Sequence, residues 1–179
     1  MSDEVEYVTP EPPHNAPVTL EEYNAEWPRW YAAEEAKIRA ALGDRVVLVE
    51  HCGSTSVPGL AAKPLIDVVL VVPDSADEAA YVPALVEAGY YLRVRERGWY
   101  EHRLLKGTAP NVNMHVFSAG CAEVERMLAF RDRLRTHDEE RAEYERVKRA
   151  LAVRTWERVQ DYADAKTQVV EGIIARALG

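Results

Sequence analysis

The segment Leu65 to Val72 reads LIDVVLVV. Its β-branched residues suit a pleated strand, and its near-continuous apolar character predicts burial on both faces. A strand of that kind has to lie inside a layered domain rather than at a wet surface. Arg45 to Glu50 (RVVLVE) predicts a second strand. Between the two lies HCGSTSVPGLAAKP, too rich in Gly, Pro, Ser and Thr for a simple helix.

The remaining segments fill in a layered fold. Residues 1–18, with Pro10, Pro12, Pro13 and Pro17, read as a flexible N-terminal arm, and residues 19–179 as a single domain. Thr19-Leu20-Glu21-Glu22 fits a capping box that opens a helix to about Leu42, broken near Pro28 and closed by Gly43. Asp74 to Ala88 reads as a helix closed by Gly89. Trp99 to Leu105 and Val112 to Phe117 read as strands joined around Gly107–Pro110. Apolar spacings of three and four predict helices over Ala122 to Thr136, Glu139 to Val153 and Thr155 to Leu178. The order α-β-β-α-β-β-ααα predicts an α/β (α+β) domain. It has a mixed sheet with helices on one side and a helical C-terminal half.

A chain of 179 residues is long enough to fold without a disulfide or metal staple. Its net charge of −8 argues against diffuse binding to nucleic acid, but leaves room for a local basic pocket that takes one small phosphate ligand. Met1 to Val8 is acidic, unlike a secretory signal, and no run reaches the length of a membrane span. Cys52 and Cys121 lack metal or redox spacing and read as two buried thiols in a reducing cytoplasm.

The chemistry concentrates in the segment from His51 to Asp67, which opens with His51-Cys52-Gly53-Ser54-Thr55. Gly53 lets a ligand approach the backbone, and Ser54 and Thr55 offer hydroxyl and N–H donors to phosphate oxygens. Lys63 adds positive charge, and Asp67 is a carboxylate inside an apolar strand, costly unless paired or metal-bound. The plainer reading is an ordinary loop and a carboxylate paired with a nearby Lys or Arg.

The block EHCGSTSVPGLAAKPLIDVVLVV resembles the signature of GrpB proteins. The likeness continues through GWYEHRLLKG, NVNMHVFSAG, FRDRLRTHDEERAEYERVKRALA and VQDYADAKTQVVEGI. The resemblance implies a nucleotidyltransferase-like core, in which Gly-Ser and, after twelve intervening positions, a strand carboxylate hold a triphosphate and Mg²⁺. Similar domains occur fused to dephospho-CoA kinase, which implies a supporting role as readily as catalysis. This chain departs from the superfamily pattern, because Val69 stands at the second carboxylate position and His115 at the third.

The site expected on these grounds has Asp67 and His115 as catalytic and metal-binding residues, with Glu101 able to replace a missing carboxylate. The ion is Mg²⁺ or Mn²⁺. Gly53, Ser54, Thr55, Lys63, Arg131, Arg135, Lys148 and Lys166 would contact phosphate. Tyr144 and Lys148, like Tyr162 and Lys166, are four apart and share a helix face. The alternative for these helical residues is a solvated face paired with Asp132, Glu145 and Asp164. His51 and His102 read as cleft histidines or as satisfied structural ones. Three functions are compatible with this pattern: nucleotidyl transfer from an NTP to an unknown small-molecule acceptor, a catalytically degenerate nucleotide- or CoA-binding accessory module, or a metal-dependent hydrolase.

Overall fold

A computed structural model describes residues 5–10 and 13–179. In chain order the elements are β1 (Val5–Tyr7), α1 (Trp27–Leu42), β2 (Leu48–Cys52), β3 (Ile66–Val72), α2 (Val82–Glu87), β4 (Tyr91–Glu96), β5 (His102–Thr108) and β6 (Asn111–Ser118). Four helices complete the chain: α3 (Ala122–Thr136), α4 (Asp138–Ala152), α5 (Val159–Asp164) and α6 (Thr167–Leu178). The strands form one mixed sheet in the order β1-β4-β5-β6-β3-β2, in which β3 and β6 run parallel and the other neighbours antiparallel. The two strands expected from LIDVVLVV and RVVLVE are neighbours, with Gly53 directly after β2, the strand of RVVLVE.

Alternation along the strands separates two faces. Ile66, Val68, Leu70 and Val72 of β3, with Val112, Met114 and Val116 of β6, pack with Trp27, Ile38 and Leu42 of α1 and Leu85 of α2. On the other face Cys52, Val69 and Phe117 lie under Val124, Met127 and Leu128 of α3. Helices therefore cover both faces, not one. Leu134, Tyr144 and Ile173, from α3, α4 and α6, close around Val57 and Leu60 of the β2–β3 loop.

Several local expectations change in three dimensions. Helix α1 begins at Trp27, and Pro28 sits in its first turn, where a missing N–H leaves nothing unsatisfied. The Thr19–Glu22 box does not open a helix, because Glu21 pairs its backbone with Ala62 in an isolated bridge. The helix expected over Asp74 to Ala88 becomes a 3₁₀ turn at Glu78–Ala80 and the short α2, since Pro83 can stand only in a first turn. The segment Thr155 to Leu178 divides into α5 and α6. Of the arm expected to be flexible, residues 1–4 and 11–12 lie outside the described residues. Val5–Tyr7 pairs with β4, and Ala16 bridges to Trp156. Among the described residues no helix is long and apolar enough to cross a membrane.

Candidate active site

Asp67 and His115 come from parallel neighbours β3 and β6, on the face opposite the α1–α2 core. Asp67 stands opposite Asn113 in register, and His115 lies two residues further along β6. Helix α3 covers Val69 and Phe117 but leaves this end of the sheet open. The Asp67 and His115 side chains are 23% and 24% exposed, with His115 Nε2 3.6 Å from Asp67 Oδ1. Asp67 is thus less buried than its apolar strand suggests, because it lies at the start of β3, before the stretch that α3 covers.

The loop after β2 is built against this carboxylate. Gly53 has φ +69°, and a Cβ there would stand 2.3 Å from Asp67 Oδ2. Glycine is required both by the backbone conformation and by the approach. The Ser54 hydroxyl bonds the Tyr144 side chain, whose phenol is pushed up to about 12 chiefly by burial. Thr55 is buried, and its hydroxyl donates to the Leu65 carbonyl at 3.0 Å and meets His51 Nε2 at 2.9 Å. It secures the loop from within and presents no hydroxyl to a ligand. His51 stacks on Tyr31 of α1 at 4.7 Å, on the side of the sheet away from Asp67. Burial lowers its pKa to about 4, so the ring is neutral.

Three of the expected phosphate contacts converge. Lys63 and Lys166 lie over the Tyr162 ring at 5.8 and 4.5 Å, and Lys148 and Lys166 over the Tyr144 ring at 5.2 and 6.0 Å. Burial lowers Lys148 to about 7, with the Lys166 charge adding to the effect. Burial lowers Lys166 to about 8, against the pull of Asp67. Lys148 donates to the Ala61 carbonyl, and Glu145 accepts from the Ala61 N–H at 3.2 Å, so α4 clasps the loop. Two buried lysines whose pKa values are lowered beside a third form a cluster that would gain charge on meeting an anion. The Tyr162 hydroxyl and Asn113 Oδ1 are buried without a hydrogen-bond partner.

Arg131 and Arg135 do not join this pocket. Arg131 donates to the His51 carbonyl at 2.9 Å and pairs with Glu50 and Asp132. Arg135 donates to the Ser56 carbonyl at 2.9 Å. Both guanidiniums staple loop backbone to α3. Glu101 is also elsewhere: it adopts φ +50° just before β5, and its carboxylate pairs with Arg103 at 2.9 Å. Arg103 and His102 alternate across β5, so Glu101 turns away from His115. Val69 is fully buried under α3. Of the thiols, Cys52 is buried and Cys121 only half-buried.

The carboxylate that does reach this row is Glu96 of β4. It meets His102 Nδ1 at 2.6 Å, and His102 Nε2 meets His115 Nδ1 at 3.1 Å. Glu96, His102, His115 and Asp67 thus form a line across β4, β5, β6 and β3. The alternation in YLRVRE is the available signal for β4 and hence for Glu96. Among the described residues no group of three His, Cys, Asp or Glu side chains could hold a metal ion. A separate groove of about 550 Å³, lined by Val47, Leu48, Val124 and Leu128 among others, lies beside α3 away from the lysines.

Comparison with known proteins bears on this geometry. The GrpB protein family profile matches residues 17–176. A UPF0157 protein of Halalkalibacterium halodurans is 54% identical over 165 residues, 92% of this chain and 85% of that one. The crystal structure of the conserved protein GrpB from Enterococcus faecalis superposes with a TM-score of 0.77 at 28% identity, covering 89% of this chain and 97% of that one. A dephospho-CoA kinase of Mycolicibacterium paratuberculosis is 37% identical over 78 residues, 42% of this chain and 19% of that one.

Proposed function

The chain belongs to the GrpB family, and for this member we propose nucleotidyl transfer from an NTP to a small-molecule acceptor, with a divalent ion at Asp67 and His115. The observation that carries the reading is the approach of two groups: a carboxylate–imidazole pair on the sheet, and a cluster of three lysines on the loop and helices of which Lys148 and Lys166 feel the Asp67 charge. The acceptor oxygen bonds to the α-phosphorus, pyrophosphate leaves, and the acceptor's proton is released. Lys63, Lys148 and Lys166 bind phosphate oxygens, and in a buried setting their charge is felt strongly as the leaving group forms. Gly53 lets the ligand lie against the loop backbone, and Tyr144 and Tyr162 wall the pocket.

The donor set is sparse, so the ion would keep most of its own water. Asp67 and His115 supply two ligands, and the buried, unpartnered Asn113 Oδ1 opposite Asp67 is a further acceptor. When bound, the ion would supply Lewis-acid stabilisation of phosphate charge. A cytoplasmic setting belongs to the same proposal, on the strength of the free thiols Cys52 and Cys121.

Calorimetry with a non-hydrolysable NTP, with and without Mn²⁺, tests the reading. Asp67→Asn should abolish Mn²⁺-dependent binding, leave the melting temperature within about 1 °C and remove turnover of α-labelled NTP. Wild-type protein that binds neither NTPs nor CoA, or an Asp67→Asn variant that keeps Mn²⁺-dependent affinity, would overturn it. The second reading is a binding module without turnover. Val69 supports it, because that buried side chain leaves the second metal carboxylate missing, as does the partial likeness to a dephospho-CoA kinase. Mn²⁺-dependent affinity without release of pyrophosphate would select it.

A further inference from the structure

We propose, building on the NTP reading above, that Trp99 at the turn between β4 and β5 is the platform on which the base of the nucleotide stacks, with purines held more tightly than pyrimidines.

The chain holds this turn at a conformational cost. The His102 N–H donates to the Trp99 carbonyl at 3.0 Å, and the two residues between, Tyr100 and Glu101, have φ +55° and +50°. Two positive φ in that frame mark a type I′ turn, which Asn-Gly or Gly-Gly adopts with least strain. A Tyr-Glu pair stays there only because its surroundings fix it. The Ser75 hydroxyl donates to the Glu101 carbonyl at 2.8 Å, and Arg103 pairs with the Glu101 carboxylate at 2.9 Å. The strand expected from Trp99 therefore begins only at His102, and the tip carries two large aromatic side chains in succession.

Those rings are not core. Trp99 meets His102 at 5.1 Å and Phe117 and Tyr100 at 5.7 Å, each at a steep angle, yet it is 37% exposed and Tyr100 is 48% exposed. An indole braced by three rings and still open to solvent is ordered before a ligand arrives, so stacking on it costs little entropy.

The position of the indole points to its occupant. His102 stacks on His115 at 5.3 Å, His115 lies 3.6 Å from Asp67, and the Asp67 charge acts on Lys148 and Lys166. The order is thus indole, imidazoles, carboxylate, lysines. A nucleoside triphosphate has its parts in the matching order, a flat ring at one end, phosphates at the other and a sugar between. Leu104, opposite His115 in register and on the face away from the core residue Leu105, is half-buried and supplies an apolar floor along the way. A two-ring base covers more of an indole than a one-ring base, which sets the preference.

Calorimetry on the full-length protein tests this, with non-hydrolysable analogues of ATP and CTP and with inorganic tripolyphosphate, each with Mn²⁺ in excess. Wild type should bind the ATP analogue more tightly than the CTP analogue, and tripolyphosphate weakest by about tenfold or more. Trp99→Leu keeps apolar volume without a ring. It should weaken the ATP analogue by about ten- to a hundredfold and leave tripolyphosphate affinity unchanged. Trp99→Phe keeps a ring and should stay within about threefold of wild type. Wild type that binds tripolyphosphate as tightly as the ATP analogue would overturn the platform and leave the phosphate pocket standing. So would Trp99→Leu with unchanged affinity for the nucleotide. Loss of tripolyphosphate affinity in step with the nucleotide would make Trp99 a structural residue and overturn the platform too. Equal affinity for the two nucleotide analogues would overturn the purine preference. If wild type binds none of the three, the NTP reading and the platform fall together.

Discussion

On β3, Val68 and Leu70 face α1 and α2 in the core, while Asp67, next to Val68, lies on the opposite face and acts on the charges of Lys148 and Lys166. The same division runs along β6, where Met114 and Val116 lie on the core side and Asn113 and His115 on the other. One sheet thus serves two purposes, and a shift of one residue exchanges them. The core face needs only apolar volume. The cleft face needs specific atoms, and it keeps them by leaving part of the sheet uncovered by α3.

Gly53→Ala should break this division most severely. The new Cβ would meet the Asp67 carboxylate and hold a strained φ, and the two costs together come to about 4 kcal/mol. Denaturant unfolding should show that loss, together with loss of Mn²⁺-dependent ligand affinity. A variant with wild-type stability would show that the loop yields easily and that the close approach is incidental.

His51 sharpens the contrast from the core side. Its pKa falls from 6.5 in the unfolded chain to about 4 in the fold, with burial the leading cause. Between those values the unfolded chain binds more protons, so stability is full above pH 6.5 and lost as pH falls toward 4. The loss is roughly 3 kcal/mol. His51→Gln can still donate to Thr55 and should flatten this part of the acid profile. Parallel acid melting curves for wild type and variant would remove His51 from the explanation.

The lysines should give the smallest effect, and in the opposite direction for a ligand. Lys148 at about 7 and Lys166 at about 8 are both charged below pH 7 and lose protons above it. NTP-analogue affinity should fall by about tenfold between pH 6.5 and 8.5, with protons taken up on binding at pH 8. Fold stability should meanwhile rise over that range, because the unfolded lysines bind more protons than the buried ones. Affinity that is flat across this range would separate the lysines from the ligand.

Much of this arrangement is legible in the sequence. Helix α3 has the bounds its apolar stripe predicts, Gly53 and His115 both lie against Asp67, and Lys63, Lys148 and Lys166 gather on Tyr144 and Tyr162. These residues lie on long periodic segments or directly beside a strand that only one environment can satisfy. Arg131, Arg135 and Thr55 are misread from sequence because their partners are backbone carbonyls of a folded loop, which no local pattern marks. Sequence points to Glu101 and passes over Glu96 because the alternation in YLRVRE is short and the partners that fix β4 are distant in the chain. Its Arg95 is held by Glu6 of β1 and by Glu78, residues far apart in the chain.

Strand β1 has a consequence for the behaviour of the molecule in concentrated solution. It is three residues long, ends the sheet beside β4, and carries Glu6 paired with Arg95 and Arg97. A short, charged edge offers little to a second sheet, whereas the six-residue β4 beneath it would present a longer row of open backbone groups. The segment that steadies the strand of Glu96 is therefore also a guard against self-association. The ion pairs of Glu6 with Arg95 and Arg97 thus serve both the placing of β4 and the masking of its edge.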